Sequence, residues 1–340
     1  MKILYGIQGT GNGHISRARV LAKKLAQYPD ISITYLFSGR AKNDFFDMEV
    51  FGDYLHFDGL TFISKNGKID HWATFKKNSL IKLLADIKNL DVSEFDLIIT
   101  DFEPITAWVG KLRKKTVLGI GHQYAFNENI PMAGDNVFTR LLIKNFAPTE
   151  CSLGLHWHPY GKNVLPPIID TNLISSNKNQ HVLIYLPFEE QAKITELLQQ
   201  IPNVKFIQYA PNLSENQFGN VETKKTNYAG FKADLTNAAG VICNSGFELI
   251  SECLHLGLPI LTKPLTGQME QHSNALALKQ LAYAYVIDEL TYEQINHWCK
   301  NKVKPSAKPL PDVAGEIARA IANNQWHNTT HLHNKLWARN

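Results

Sequence analysis

Two clusters in this chain combine residue types and spacings that can do chemistry. The first is Gln8-Gly9-Thr10-Gly11-Asn12-Gly13-His14, between the apolar run KILYGI and an amphipathic segment beginning at Ile15. A glycine-rich turn that opens a helix leaves backbone N–H groups free and gathers partial positive charge, which suits an oxyanion or phosphate. The spacing is not G-x-G-x-x-G, and no acidic residue ends the next apolar run, so the dinucleotide fingerprint is not met. His14 stands where loop becomes helix. An imidazole there can take a proton from a hydroxyl near neutral pH, or can simply pack the turn.

The second cluster begins after the apolar run GVIC, at Asn244-Ser245-Gly246-Phe247-Glu248, and continues through Glu252 to Gly257-Leu258-Pro259. Small polar residues before a helix again offer free N–H groups, here enough for a diphosphate. Glu248 and Glu252 lie four apart and share a helix face, where a carboxylate can accept both hydroxyls of a ribose. Gly257 and Pro259 stop the helix. Further on, Glu270 and Gln271 present adjacent polar groups suited to sugar hydroxyls. Asp101 ends the run FDLIITD. It can cap the next helix, with Glu103 as a second carboxylate.

These residues need a frame. Short apolar runs alternate with amphipathic stretches. Strands are predicted at 2–7, 32–39, 95–101 and 116–121, then at 181–187, 204–210, 240–245 and 259–264, with helices between them. That rhythm predicts an α/β protein with two parallel-sheet, Rossmann-like domains. The Pro- and Asn-rich stretch 156–180 reads as a linker. The expected division is an N-terminal domain over 1–155, a linker over 156–180, a C-terminal domain over 181–325, and a tail over 326–340 that packs as a helix or frays.

With both clusters in view, the chain resembles the GT-B glycosyltransferases, and in pattern the family 28 group that includes the peptidoglycan lipid-intermediate GlcNAc transferase and diacylglycerol glycosyltransferases. That group carries Gly-Gly-Thr-Gly-Gly-His after its first strand; Asn12 here replaces one glycine and His14 is kept. Its later signature is similar to Ser245-Gly246-Phe247-Glu248-Leu249-Ile250-Ser251-Glu252, Gly257-Leu258-Pro259 and Gln271-His272-Ser273-Asn274-Ala275. The resemblance implies two domains facing across a cleft and an inverting, metal-independent transfer of a hexosyl or N-acetylhexosaminyl group from a UDP-sugar. It implies His14 as base, Asp101 as its partner, and amides of Ser245, Gly246 and Phe247 on the diphosphate. Asn244 would stand where some relatives have a histidine, Glu252 would bind the ribose, and Glu270 and Gln271 the sugar. Gly11, Asn12 and Gly13, with His122 and Gln123, would border the acceptor. Leu186-Pro187-Phe188-Glu189 departs from the glycine-rich turn of many members, with fewer N–H groups and more bulk.

Composition narrows the class. The 340 residues are 44% hydrophobic and 19% charged, with net charge +4, which excludes a disordered chain and a nucleic-acid-type basic domain. Four cysteines without a C-x-x-C pair argue against a zinc ribbon or disulfide framework. The pairs His156-x-His158 and His331-x-His333 read as surface histidines rather than metal ligands. No apolar run reaches the ~18 residues of a membrane span, and the stretch after Lys2 is too short and glycine-rich for a signal peptide, so a cytoplasmic protein is expected. Segment 71–90 mixes Trp72, Leu80, Ile81, Leu83, Leu84 and Ile87 with Lys76, Lys77, Lys82 and Lys88. It is either an ordinary amphipathic helix or a weak contact with an anionic inner membrane face, which would fit a lipid or glycan acceptor. Two other readings remain: a UDP-sugar 2-epimerase of the same fold, and a non-catalytic sugar-nucleotide-binding protein.

Overall fold

The computed structural model describes residues 1–65, 67–134, 137–176, 180–306 and 309–338. Residues 177–179 of the expected linker and 339–340 of the tail lie outside them. The strands of the first half are β1 (Lys2–Gln8), β2 (Ser32–Ser38), β3 (Tyr54–His56), the small hairpin β4 (Ser64–Lys65) and β5 (Lys68–Ile69), β6 (Leu97–Asp101), β7 (Val117–Gly121), β8 (Cys151–Leu155) and β9 (Val164–Leu165). Those of the second are β10 (His181–Tyr185), β11 (Phe206–Ala210), β12 (Asn216–Phe218), β13 (Val221–Lys225), β14 (Ala238–Asn244), β15 (Ile260–Lys263) and β16 (Tyr285–Val286). The helices are α1 (Asn12–Leu25), α2 (His71–Lys77), α3 (Leu80–Asn89), α4 (Pro104–Leu112), α5 (Val137–Phe146), α6 (Gln191–Gln199), α7 (Tyr228–Thr236), α8 (Phe247–Leu256), α9 (Met269–Gln280), α10 (Tyr292–Lys300), α11 (Val313–Ala322) and α12 (Thr329–Trp337).

Two seven-stranded sheets result, in the orders β3-β2-β1-β6-β7-β8-β9 and β12-β13-β11-β10-β14-β15-β16. All neighbours are parallel except β12 with β13. This is the two-sheet α/β architecture predicted from the alternating runs. The apolar strands are buried on both faces: β6, Leu97–Asp101, is buried throughout. In each sheet the strand order reverses beside the first strand, between β1 and β6 and between β10 and β14. At such a point the connections diverge to opposite faces and leave a crevice at the carboxyl ends of the strands. The register sets Ile7 beside Asp101, and the His14 turn follows directly.

The stretch 156–180 is less of a linker than its composition suggests. It contains β9, which adds to the first sheet, and Trp157, which is buried and donates from its indole to Ser251 Oγ at 2.8 Å. The C-terminal segment crosses back to the first half. In α12, His333 Nδ1 and Trp337 Nε1 each lie 2.8 Å from the Val164 carbonyl. Lys24 of α1 pairs with Asp312 at 2.7 Å, just before α11.

Segment 71–90 is two helices, not one. Asn78 is extended, and the Ser79 side chain caps α3 by accepting from the Lys82 N–H. Leu83 and Ile87 are buried, while Trp72, Leu80, Ile81 and Leu84 are exposed. No helix among the described residues is long and apolar enough to cross a membrane.

Candidate active site

The carboxyl ends of the two sheets face each other across a cleft with a cavity of about 560 Å³. Its walls include Gly11, Asn12, Gly13, His14, His122 and Gln123 from the first half. From the second half come Asn244, Gly246, Phe247, Glu252, Glu270 and Gln271. The structure therefore brings the two sequence clusters to one place. Ser245 is fully buried and does not line the cavity: its hydroxyl bonds to Thr262 Oγ1 at 2.9 Å and its carbonyl accepts from Asn274 at 3.0 Å.

Helix α1 starts at Asn12, three residues before the amphipathic pattern begins, so His14 lies in its first turn. His14 Nδ1 is 2.8 Å from Asp101 Oδ1. Asp101 is therefore the carboxylate that pairs with His14, and Glu103 takes the cap: its carboxylate accepts from the N–H groups of Ile105 and Thr106 and from Ser38 Oγ. Between the two carboxylates, Phe102 adopts a left-handed backbone with φ of +53°. Strain of this kind is retained where the chain must be aimed. Here it turns the Phe102 ring onto Phe146, centroids 4.9 Å apart. Leu60, Phe62, Ile69, Phe102, Phe126 and Ile143 make the first half's side of the cavity strongly apolar.

Arg17 is a residue that sequence reasoning passed over. It lies one turn after His14 on the same face of α1, a spacing that was visible. It is buried and grips Asp101 through Nε at 2.9 Å and Nη2 at 2.6 Å, while Nη1 meets Glu248 of α8. Burial alone would raise the Asp101 carboxyl. Arg17 and His14 outweigh that and hold it below its usual value. Burial pushes Glu248 above the ordinary carboxylate value, against the pull of Arg17. Gly13 lets Glu248 approach closely: a Cβ there would lie 3.2 Å from Glu248 Cγ.

His122 does not present a free nitrogen to the cavity. Its Nδ1 donates to the Leu155 carbonyl at 2.8 Å, and Nε2 lies 2.7 Å from Asn274 Oδ1. Burial keeps it below the usual imidazole value. Gln123 does reach the site: its Nε2 donates to Glu270 Oε2 at 2.9 Å and lies 3.4 Å from His14 Nε2. Its Oε1 is buried without a partner, a state that points to a missing donor such as a ligand hydroxyl.

In the second half, α8 begins after Gly246 with no side-chain cap, so its first N–H groups remain available. Gly257, with φ of +64°, closes the same helix as expected. Asn244 donates to the Lys263 carbonyl at 3.1 Å. Glu252 pairs with Lys232, a second cation that sequence reasoning missed. Gln271 Oε1 accepts from the Leu265 N–H at 2.9 Å, which leaves its amide nitrogen for other work. His156, expected at the surface, is buried between His122 and Trp157, and burial drives it well below the usual imidazole value. No group of three potential metal ligands occurs among the described residues.

A fold of two facing parallel-sheet domains with such a cleft is the GT-B architecture, and comparison with known proteins defines the class. The family model for glycosyl transferase family 1 matches residues 1–302, so the chain belongs to that glycosyltransferase family. This is a broader assignment than the family 28 pattern its motifs resemble. No curated protein sequence matches the chain. Among solved structures it is similar to the glycotransferase of kitacinnamycin, at 14% identity and TM-score 0.61 over 99% of this chain and 98% of that one. Phytolacca americana UGT2, solved with UDP-2-fluoro-glucose and pterostilbene, gives 14% and 0.58 over 99% of each chain. A protein described as a UDP-N-acetylglucosamine 2-epimerase from Listeria monocytogenes gives 9% and 0.60 over 94% of each. At such identities the likeness is one of fold.

Proposed function

We propose that this glycosyltransferase moves a hexosyl or N-acetylhexosaminyl group from a UDP-sugar to a hydroxyl of an apolar acceptor, with inversion and without a metal. The observation that carries the reading is the pair His14 Nδ1–Asp101 Oδ1 at 2.8 Å, set in the cavity wall opposite the uncapped start of α8. Asp101 holds the Nδ1 proton, which leaves Nε2 to take the acceptor's proton. The Gly246 N–H is already given to the Asn244 carbonyl at 2.8 Å, so of the three amides expected there it is those of Ser245 and Phe247 that hold the diphosphate at the helix N-terminus, with Asn244 beside them, and stabilise the charge that develops on the leaving nucleotide. Glu252 takes the ribose hydroxyls with the oxygen that Lys232 leaves free. Glu270 and Gln271 border the sugar. Attack from the His14 side on a sugar held by α8 gives inversion.

The acceptor lies between the His14 turn and the apolar wall around Phe102 and Phe126, with Gln123 near its hydroxyl. A lipid or a glycan on a lipid suits this wall. The exposed residues of α2 and α3 then support a weak contact with an anionic membrane surface from the cytoplasmic side. Pro187 and Phe188 line the same cavity and replace a glycine-rich turn, so the diphosphate depends on α8 more heavily.

The epimerase reading gains something from Arg17, Lys232 and Glu248, which add charge to the cleft. All three, however, are engaged in ion pairs with neighbouring protein groups. The test is thermal stabilisation by UDP, GDP and dTDP, with Glu252→Ala as control, followed by UDP-sugars incubated with lipid extract. Stabilisation by UDP and a labelled lipid product are expected. Absence of any nucleotide effect sinks the donor site; binding without product leaves the non-catalytic reading; a changed sugar without transfer supports epimerisation. His14→Ala should lose transfer and keep donor binding.

A further inference from the structure

We infer that Arg17 is a positioning residue that aligns His14 and ties that alignment to closure of the cleft. The inference rests on reading His14 as the base.

The geometry is specific. One guanidinium serves three partners. Its Nε and Nη2 take both oxygens of Asp101, which fixes the plane of that carboxylate. Oδ1 is thereby presented to His14 Nδ1. Nη2 also lies 3.1 Å from that same nitrogen, so a full positive charge sits beside the imidazole. The third nitrogen, Nη1, reaches out of the first half to Glu248 in the first turn of α8. A lysine has no fork with which to hold two carboxylates in fixed planes.

Two consequences follow. The carboxylate that meets His14 Nδ1 cannot rotate away from it while Arg17 holds both of its oxygens. Moreover, the carboxylate plane that orients His14 is held by a group anchored in the other domain. The first turn of α1 touches the second half at two more points: Asn12 Nδ2 donates to Tyr185 Oη at 3.0 Å, and Gly13 admits Glu248 at close range. Opening the cleft removes these anchors together. The base is then aligned only when the helix that would carry the donor diphosphate is in place.

The charged and titratable groups around His14 are few. Asp101 comes from β6, Arg17 from α1, and Glu248 from α8 beyond Arg17. Glu270 of α9 lies behind Gln123, and Tyr5 of β1 lies beneath, raised by burial. Arg17 places a cation 3.1 Å from the ring nitrogen.

The test reads His14 directly and needs no donor. The full chain is labelled at its histidines and observed by NMR at one pH, with His14 assigned by loss of its signal in His14→Gln. In Arg17→Met the His14 ring signals should broaden or split, because the Asp101 plane is no longer held. Arg17→Lys, which keeps the charge but has no fork, should do the same. Backbone hydrogen exchange over Asn12–Arg17 should rise about tenfold in the lysine variant, because the tie to Glu248 is lost. Glu248→Ala should raise exchange over the same residues. If the methionine variant does not fold, the lysine and alanine variants still decide the matter. An unchanged His14 ring signal in Arg17→Met and Arg17→Lys, or unchanged exchange in Arg17→Lys and Glu248→Ala, overturns the inference. UDP stabilisation is measured separately, so failure of the donor reading and failure of the Arg17 inference are distinguishable.

Discussion

The imidazole of His122 lies flat on the ring of Phe247, with centroids 3.9 Å apart and planes 7° from parallel, although the two residues come from different halves of the chain. Trp157 adds a second face, 5.0 Å from the Phe247 centroid. The first residue of α8, the helix proposed to hold the diphosphate, is thus clamped between side chains of the opposite domain and the connecting stretch. Phe247→Ala should cost about 3–5 kcal/mol by opening this buried stack. The measurement is denaturant unfolding; a loss under about 1 kcal/mol would show that the two halves do not depend on this contact.

Asp101→Asn keeps shape but removes charge. Its amide can no longer hold the Nδ1 proton of His14 as a carboxylate does, and Arg17 loses its main counter-charge. Transfer should fall about 10³–10⁴-fold while UDP affinity changes little, since Asp101 faces His14 and not α8. The variant should also be less stable by about 3–5 kcal/mol, because it leaves a buried guanidinium underpaired. Steady-state rates and UDP titration of the folded variant separate the two effects.

Glu252→Ala should weaken UDP binding about 10–100-fold, as expected for loss of charge-assisted hydrogen bonds to a ribose. The same change frees Lys232. Glu252→Gln keeps an acceptor but no charge, and should lose less. Isothermal titration with UDP checks both. Equal affinities in all three proteins would place the ribose elsewhere.

How far these sites were readable in the sequence depends on what each residue contacts. His14, Asp101 and Asn244 stand at strand-to-helix junctions, with Glu252 further along the helix that follows one of them, and a parallel α/β fold has few places to put such junctions except the mouth of the cleft. Arg17 escaped because its partners, Asp101 and Glu248, are distant in sequence and a basic residue inside an amphipathic helix reads as a solvated face. His156 and Trp157 escaped for the opposite reason. Their Pro- and Asn-rich surroundings read as a connection, whereas the chain buries them against α8. The edge strands β3, β9 and β16 are two or three residues long and carry no period that could be counted.

Stability should depend on pH in two opposing ways. Burial lowers the folded values of His122 and His156 below the ordinary 6.5. On unfolding they take up protons, so their contribution is lost as pH falls below about 6.5. Glu248 runs the other way. Its folded value is raised above 4.5, so its contribution is fully present below that pH and is lost as pH rises through the folded value. Glu248→Gln should therefore flatten the decline of Tm on the alkaline side, and His156→Gln the decline on the acid side. Parallel Tm curves for the parent and both variants would contradict these assignments.

The face of α2 and α3 poses the remaining question of where the enzyme works. Ile81 is 84% exposed, Trp72 68% and Leu80 66%, on two short helices that follow directly from Ile69 in the cavity wall. Lys76 stands over the Trp72 ring at 5.0 Å, and Lys82 pairs with Asp58, so part of the basic charge is already engaged. Binding to an anionic bilayer would thus rest on apolar insertion as much as on charge. The protein should sediment with phosphatidylglycerol vesicles, and less with phosphatidylcholine. Replacing Leu80, Ile81 and Leu84 by serine should abolish sedimentation, whereas raised salt should only weaken it. Those residues lie outside the core, so the triple variant should unfold at nearly the parent's denaturant midpoint. Undiminished sedimentation of the serine variant would mean that α2 and α3 face water and that an apolar acceptor reaches the Phe102 wall by another route.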